Sequence, residues 1–117
     1  MNNNHIDYIE FRAADLEAVK TFYSKCFGWE FTDYGPDYCS FSNSGVYGGF
    51  EKSSEPLVNG VLVVLYHEDL EGIRETVLNA GGTLIRDIFS FPGGRRFHFR
   101  GPCGNELAIW SEKGVAL

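Results

Sequence analysis

Few side chains of this chain could do chemistry, and they are scattered along it. Glu10 and Glu106 could work together as acid and base if burial raised one carboxyl pKa. Their plainer role is to pair with Arg12 or Arg100, or to meet water. His98 could be a general base or a lone metal ligand, although a histidine between Phe97 and Phe99 also suits a structural place. His5, beside the terminus, and His67, just before a helix start, read as surface residues. The phenol of Tyr8 could donate a proton to a ligand. Tyr66 and Trp110 could stack on a bound aromatic ring, or simply pack. Gly93-Gly94-Arg95-Arg96 could be a flap whose arginines hold a carboxylate, or a hairpin with solvated arginines. It lacks the phosphate-binding GxxxxGK[ST] spacing. Cys26, Cys39 and Cys103 are an odd number without CxxC spacing, so they read as small hydrophobes in a reducing compartment.

These residues need a scaffold, and the composition supplies one. The chain has 117 residues, of which 44% are hydrophobic and 15% aromatic, enough for one domain with a real core. A net charge of −6 disfavours nucleic acid, whose binding needs clustered cations. Arg95, Arg96 and Arg100 are too small a cluster to reverse that. Met1-Asn2-Asn3-Asn4 has neither a basic n-region nor an apolar h-region, so no secretory signal is expected and a cytoplasmic setting is. The asparagines read as a loose terminus. No apolar run has membrane-spanning length, so no membrane partner is expected.

Ile6 to Phe11 reads as a strand, with Ile9 and Phe11 on one face and Tyr8, Glu10 and Arg12 on the other. Asp15 is placed to cap a helix carrying Leu16, Val19, Phe22, Tyr23, Cys26 and Phe27 at helical spacing, and Gly28 to end it. Strands are expected at Trp29 to Tyr34, Tyr38 to Ser42 and Val46 to Phe50, with Trp29 and Phe31 in the core. Gly35-Pro36-Asp37 and Asn43-Ser44-Gly45 are turns between them. Ser53 to Asn59 reads as a connecting loop. The pattern then recurs. Val61 to Tyr66 is a strand, and Asp69 caps a helix with Leu70, Ile73, Val77 and Leu78 inward, ending at Gly81-Gly82. Strands follow at Thr83 to Phe89, Arg96 to Arg100 and Glu106 to Ser111, separated by turns at Pro92-Gly93-Gly94 and Pro102-Cys103-Gly104.

A weak internal repeat supports this reading. Asp15-Leu16-Glu17 recurs as Asp69-Leu70-Glu71. At the same offset Ile9 matches Val63, Phe11 matches Leu65, Val19 matches Ile73, and Gly28 matches Gly82. The fold expected is α+β, one domain over residues 1–117. It is built from two βαβββ units, one at about 5–52 and one at about 60–112, whose curved mixed sheets enclose a cleft. Each helix covers one face of its sheet. Strand alternation then assigns the uncovered faces Tyr8, Glu10, Arg12, Leu62, Val64, Tyr66, Glu106, Ala108 and Trp110, with Phe50 and His98 added. Leu107 and Ile109 face the helix.

The segments IEFRAADL, FYSKCFGWEF, Gly48-Gly49-Phe50 and RRFHFRGPCGNELAIW occur in an order and spacing that resemble the vicinal-oxygen-chelate superfamily. That group includes glyoxalase I, bleomycin-resistance proteins and extradiol dioxygenases. The branch described as predicted enzymes related to lactoylglutathione lyase is similar in its FGW segment, GG-apolar strand and GN turn. The resemblance implies the glyoxalase-like fold and a divalent metal held by His and Glu. Carried onto this chain, the ligand positions fall at Tyr8, at Gly48 or Gly49, at Leu62 and at Ala108. These side chains do not make a metal site, since a catalytic metal needs about three protein ligands.

The resulting expectation is a protein that binds a small apolar or aromatic molecule, as bleomycin-resistance proteins sequester drugs. No metal or other cofactor is assigned, though a substitute centre from Glu10, His98 and Glu106 is open. One alternative is an enzyme, either lactoylglutathione-lyase-like or a metal-free lyase or isomerase using Tyr8, Glu10 or Glu106. Another is a module whose cleft a partner protein fills. A homodimer is expected.

Overall fold

The computed structural model describes residues 1–55, 60–102 and 105–114. Cys103, part of the turn expected at Pro102-Cys103-Gly104 and most of the loop expected up to Asn59 lie outside them. The strands are β1 (Ile6–Ala13), β2 (Glu30–Asp33), β3 (Tyr38–Ser42), β4 (Gly48–Lys52), β5 (Val61–Tyr66), β6 (Thr83–Phe91), β7 (Gly94–Arg100) and β8 (Glu106–Ser111). The helices are α1 (Leu16–Phe27) and α2 (Leu70–Asn79). The chain divides into two compact units. One is Tyr8–Leu62, and the other joins Met1–Asp7 to Val63–Leu117.

In the unit Tyr8–Leu62 the strand order is β2-β3-β4-β1. The β2·β3 and β3·β4 pairs are antiparallel, and β1 runs parallel to β4. Asp15 caps α1, its Oδ1 accepting from Ala18 N at 3.1 Å. Gly28 ends the helix at φ 73°, a left-handed conformation that costs glycine little. Leu16 anchors the helix over Cys39, Phe41 and Phe50, joined by Phe11, Val19, Tyr23, Trp29 and Phe31.

Two expectations need correction in this unit. Phe50 belongs to the core, not to the open face. The parallel register sets it beside Phe11, and the two rings stack at 5.2 Å under α1. The buried stripe of α1 is also narrower than its apolar one: Phe22, Cys26 and Phe27 are exposed.

In the other unit the order is β5-β8-β7-β6, with β5 parallel to β8 and the rest antiparallel. Strand, helix and three strands therefore recur with the same pairing, as the repeat required. Asp69 Oδ1 accepts from Gly72 N at 3.1 Å. Leu70, Phe97 and Ile109 form the core with Leu65, Ile73, Val77 and Phe99. Leu78, expected inward, is exposed at the helix end. The asparagine run is not loose either. Asn4 N donates to Tyr66 O at 2.8 Å, and Glu68 N donates to Asn3 Oδ1 at 2.9 Å. Among the described residues no helix is long and apolar enough to cross a membrane.

Candidate functional site

Each unit groups polar side chains on the sheet face turned away from its helix. In the unit Tyr8–Leu62, alternation along β1 sends Tyr8, Glu10 and Arg12 there. Glu10 registers with Gly49, and Gly49 with Ser40. Tyr38, at the start of β3, lies on the same face. Its hydroxyl occupies the space where a side chain at Gly49 would begin. It reaches Tyr8, and the two phenol oxygens lie 2.5 Å apart. Burial, the bond to Tyr8 and the neighbouring Glu10 carboxylate all push the Tyr38 phenol strongly up from its ordinary pKa. Sequence reasoning missed Tyr38. Its alternation with Cys39 and Phe41 was visible, but only the β3·β4 register brings it over the glycine.

In the second unit the corresponding face carries Val64, Tyr66, Glu106, Ala108, Trp110, Arg96 and His98. His98 registers with Ala108, and Arg96 with Trp110. His98 Nδ1 lies 2.9 Å from Glu106 Oε2. Burial holds the imidazole below its usual pKa, against the pull of Glu106, and the Arg96 and Arg86 charges add to the depression. Trp110 packs edge-on against Tyr66 at 5.4 Å, and its Nε1 donates to Asp7 Oδ2 at 2.9 Å. Tyr66 donates to Glu112 at 2.6 Å, and this bond with burial pushes its phenol up to about 12.

Of the expected lining residues, Glu10, Leu62, Val64, Tyr66, His98 and Ala108 are buried, whereas Tyr8, Arg12, Glu106 and Trp110 keep accessible surface. The arginines of Gly93-Gly94-Arg95-Arg96 are neither a flap nor simply solvated. They lie in β7, where Arg95 grips Glu71 on α2 through two bonds of 2.9 and 3.0 Å. That grip pulls the Glu71 carboxyl down to about 2. Among the described residues no three His, Cys, Asp or Glu side chains gather as metal ligands.

The phenol contacts give a direct test. In an alkaline titration followed by tyrosinate absorbance, Tyr38 and Tyr66 are expected to ionise after the ordinary tyrosine range of about 10. Tyr66 should do so at about 12. Tyr8→Phe should bring Tyr38 down. One step for all the tyrosines near ~10 would show the Tyr8–Tyr38 contact to be wrong.

The model of the Glyoxalase/Bleomycin resistance protein/Dioxygenase superfamily matches residues 5–109. The chain belongs to that superfamily. Solved structures agree in fold. The Mn(II)-bound glyoxalase from Novosphingobium aromaticivorans is similar with a TM-score of 0.70 and 20% identity, over 94% of this chain and 39% of that one. A superfamily member from Vibrio splendidus 12B01 gives 0.70 and 20%, over 89% and 96%. A methylmalonyl-CoA epimerase in complex with methylmalonyl-CoA and NH4+ gives 0.70 and 16%, over 97% and 98%. At these identities the likeness establishes the glyoxalase-like α+β fold. A comparison with curated protein sequences found no match.

Proposed function

We propose that this superfamily member binds a small planar, apolar or aromatic molecule, and does so without the divalent metal of its metal-dependent relatives. The observation that carries this reading is the Tyr8–Tyr38 contact. Where the family resemblance puts a histidine, Tyr8 holds Tyr38, and the Tyr38 phenol fills the space over Gly49. Neutral phenols are poor ligands for a divalent cation, and glycine offers none. These residues do not fit a family-type metal centre. In the unit Tyr8–Leu62 the accessible polar groups on this face are Tyr8 and Arg12. In the other unit Trp110 offers an aromatic wall and Glu106 a polar group, the kind of lining that orients a planar molecule.

Two measurements test this on untagged protein purified without chelator. Elemental mass spectrometry is expected to find far less than one equivalent of zinc, nickel, iron or manganese. A panel of small aromatics is expected to raise the melting temperature. A ligand at a hundredfold excess over Kd stabilises by about 2.7 kcal/mol, a shift on the order of 10 °C for a domain of this size. Stoichiometric retained metal would sink the metal-free reading, and a panel without any shift would sink the binding reading.

A further inference from the structure

Strand β6 carries two extra residues opposite His98. Leu84 pairs with Phe99 and Arg86 with His98, so β6 advances two residues while β7 advances one. From Arg86 to Phe89 it advances three while β7 advances two. Regular alternation would send Arg86 and Phe89 to opposite faces. The bulged strand brings both to His98. The Phe89 ring stacks on the imidazole at 5.8 Å and 29°. The Arg86 guanidinium sits 3.6 Å from the centre of that ring, and Arg96 sits 5.5 Å from it. Bulges re-aim side chains in this way, often beside active sites.

His98 is 7% exposed. An ionised carboxylate only accepts, so Glu106 places the imidazole proton on Nδ1 and leaves the lone pair on Nε2. Nε2 is buried, and among the described residues nothing hydrogen-bonds it. Leaving such an atom unpaired forfeits the hydrogen bonds it made to water, a cost that a purely structural histidine would avoid. A tautomer fixed from behind, a lone pair without a partner, an aromatic shelf and two nearby cations together form a proton-accepting site.

We propose that His98 Nε2 takes the proton of a planar weak acid bound against Phe89, with Arg86 and Arg96 beside the resulting anion. This rests on the reading that the chain binds a planar small molecule, and names its chemistry. The ligand's O–H or N–H bond breaks, and its electron pair stays on the ligand as the anion. The proton ends on Nε2, and the imidazolium is held by Glu106. Nothing is oxidised or reduced. The Arg86 side chain is exposed and lies 3.6 Å from the ring centre, so it is the group that shifts to the ligand's edge, still beside the anion, when a planar molecule reaches Phe89.

The probe is 4-nitrophenol, which is yellow only as its phenolate, at a pH where free probe is colourless. Tryptophan quenching reports binding independently of colour. Wild-type protein is expected to bind the probe and turn it yellow. His98→Asn keeps an amide to donate to Glu106 but has no Nε2. It should still bind, with the bound phenolate to phenol ratio down at least about tenfold, one pKa unit. Glu106→Gln, which removes the negative charge that holds the imidazolium and no longer fixes the tautomer, should lose the colour likewise and serves if His98→Asn does not fold. Colourless binding by wild type, or colour that survives both variants, overturns the proposal. Binding of 4-nitroanisole, which has no acidic proton, without binding of 4-nitrophenol would leave the planar-ligand reading intact and sink this one. Binding of neither would sink this proposal along with its premise for this ligand class.

Discussion

Gly48→Ala is expected to cost about 3 kcal/mol or more, at the upper end of what overpacking does. A methyl group at Gly48 would fall on the backbone oxygen of Ile9 and on the ring of Phe41. Neither can move cheaply. Ile9 is the residue that registers with Gly48 in the parallel β1·β4 pair, so its carbonyl shifts only if that pairing opens. Phe41 is buried at 5% exposure, packed on Trp29 at 4.8 Å and Phe50 at 5.8 Å. Glycine is needed at position 48 for space, since its backbone is not left-handed. Gly101→Ala is the control. Among the described residues nothing lies within 4 Å of its added carbon, and its φ is not left-handed, so it should be neutral or stabilising by up to about 1 kcal/mol. Urea midpoints followed by circular dichroism would decide. A Gly48→Ala midpoint equal to wild type would mean that β1 and β4 do not approach as described.

Most of the scaffold was legible because local chemistry marks it. β3, β5 and β8 begin and end at the residues that the sequence pattern predicts, and both caps are aspartates accepting from a backbone N–H three residues on. The repeat predicted two units of like pairing, and both have it. Alternation fixes which residues share a face, but not which face is covered. For β1 the helix decided it correctly. For β4, with two glycines and no alternating pattern, it took the pairing of Phe50 with Phe11 to settle the matter. Tyr38 was hidden for the same reason. Arg86 and Phe89 were hidden for another, since a bulge resets the phase of its strand and composition does not announce it. On α1 the apolar pattern over-read the core, because Phe22 and Phe27 meet each other, Tyr23 and, for Phe27, Trp29 while staying exposed.

Phe97→Ala is expected to destabilise by about 3–5 kcal/mol, the range for truncating a buried phenylalanine. Phe97 is fully buried in one cluster with Leu70 of α2 and Ile109 of β8, both buried as well. His98, the next residue, faces the other way and should behave differently. His98→Asn removes a buried nitrogen that has no partner among the described residues and keeps a donor for Glu106, so the lost ring packing on Phe89 is partly offset. Its cost should stay within about 1.5 kcal/mol. Equilibrium unfolding of the two variants side by side separates the roles of adjacent residues. A large loss at Phe97 with a small one at His98 would mean that one face of β7 carries the core and the other does not. Equal large losses would make His98 a core residue, and its unpaired nitrogen would then be a cost of packing rather than a place for a proton.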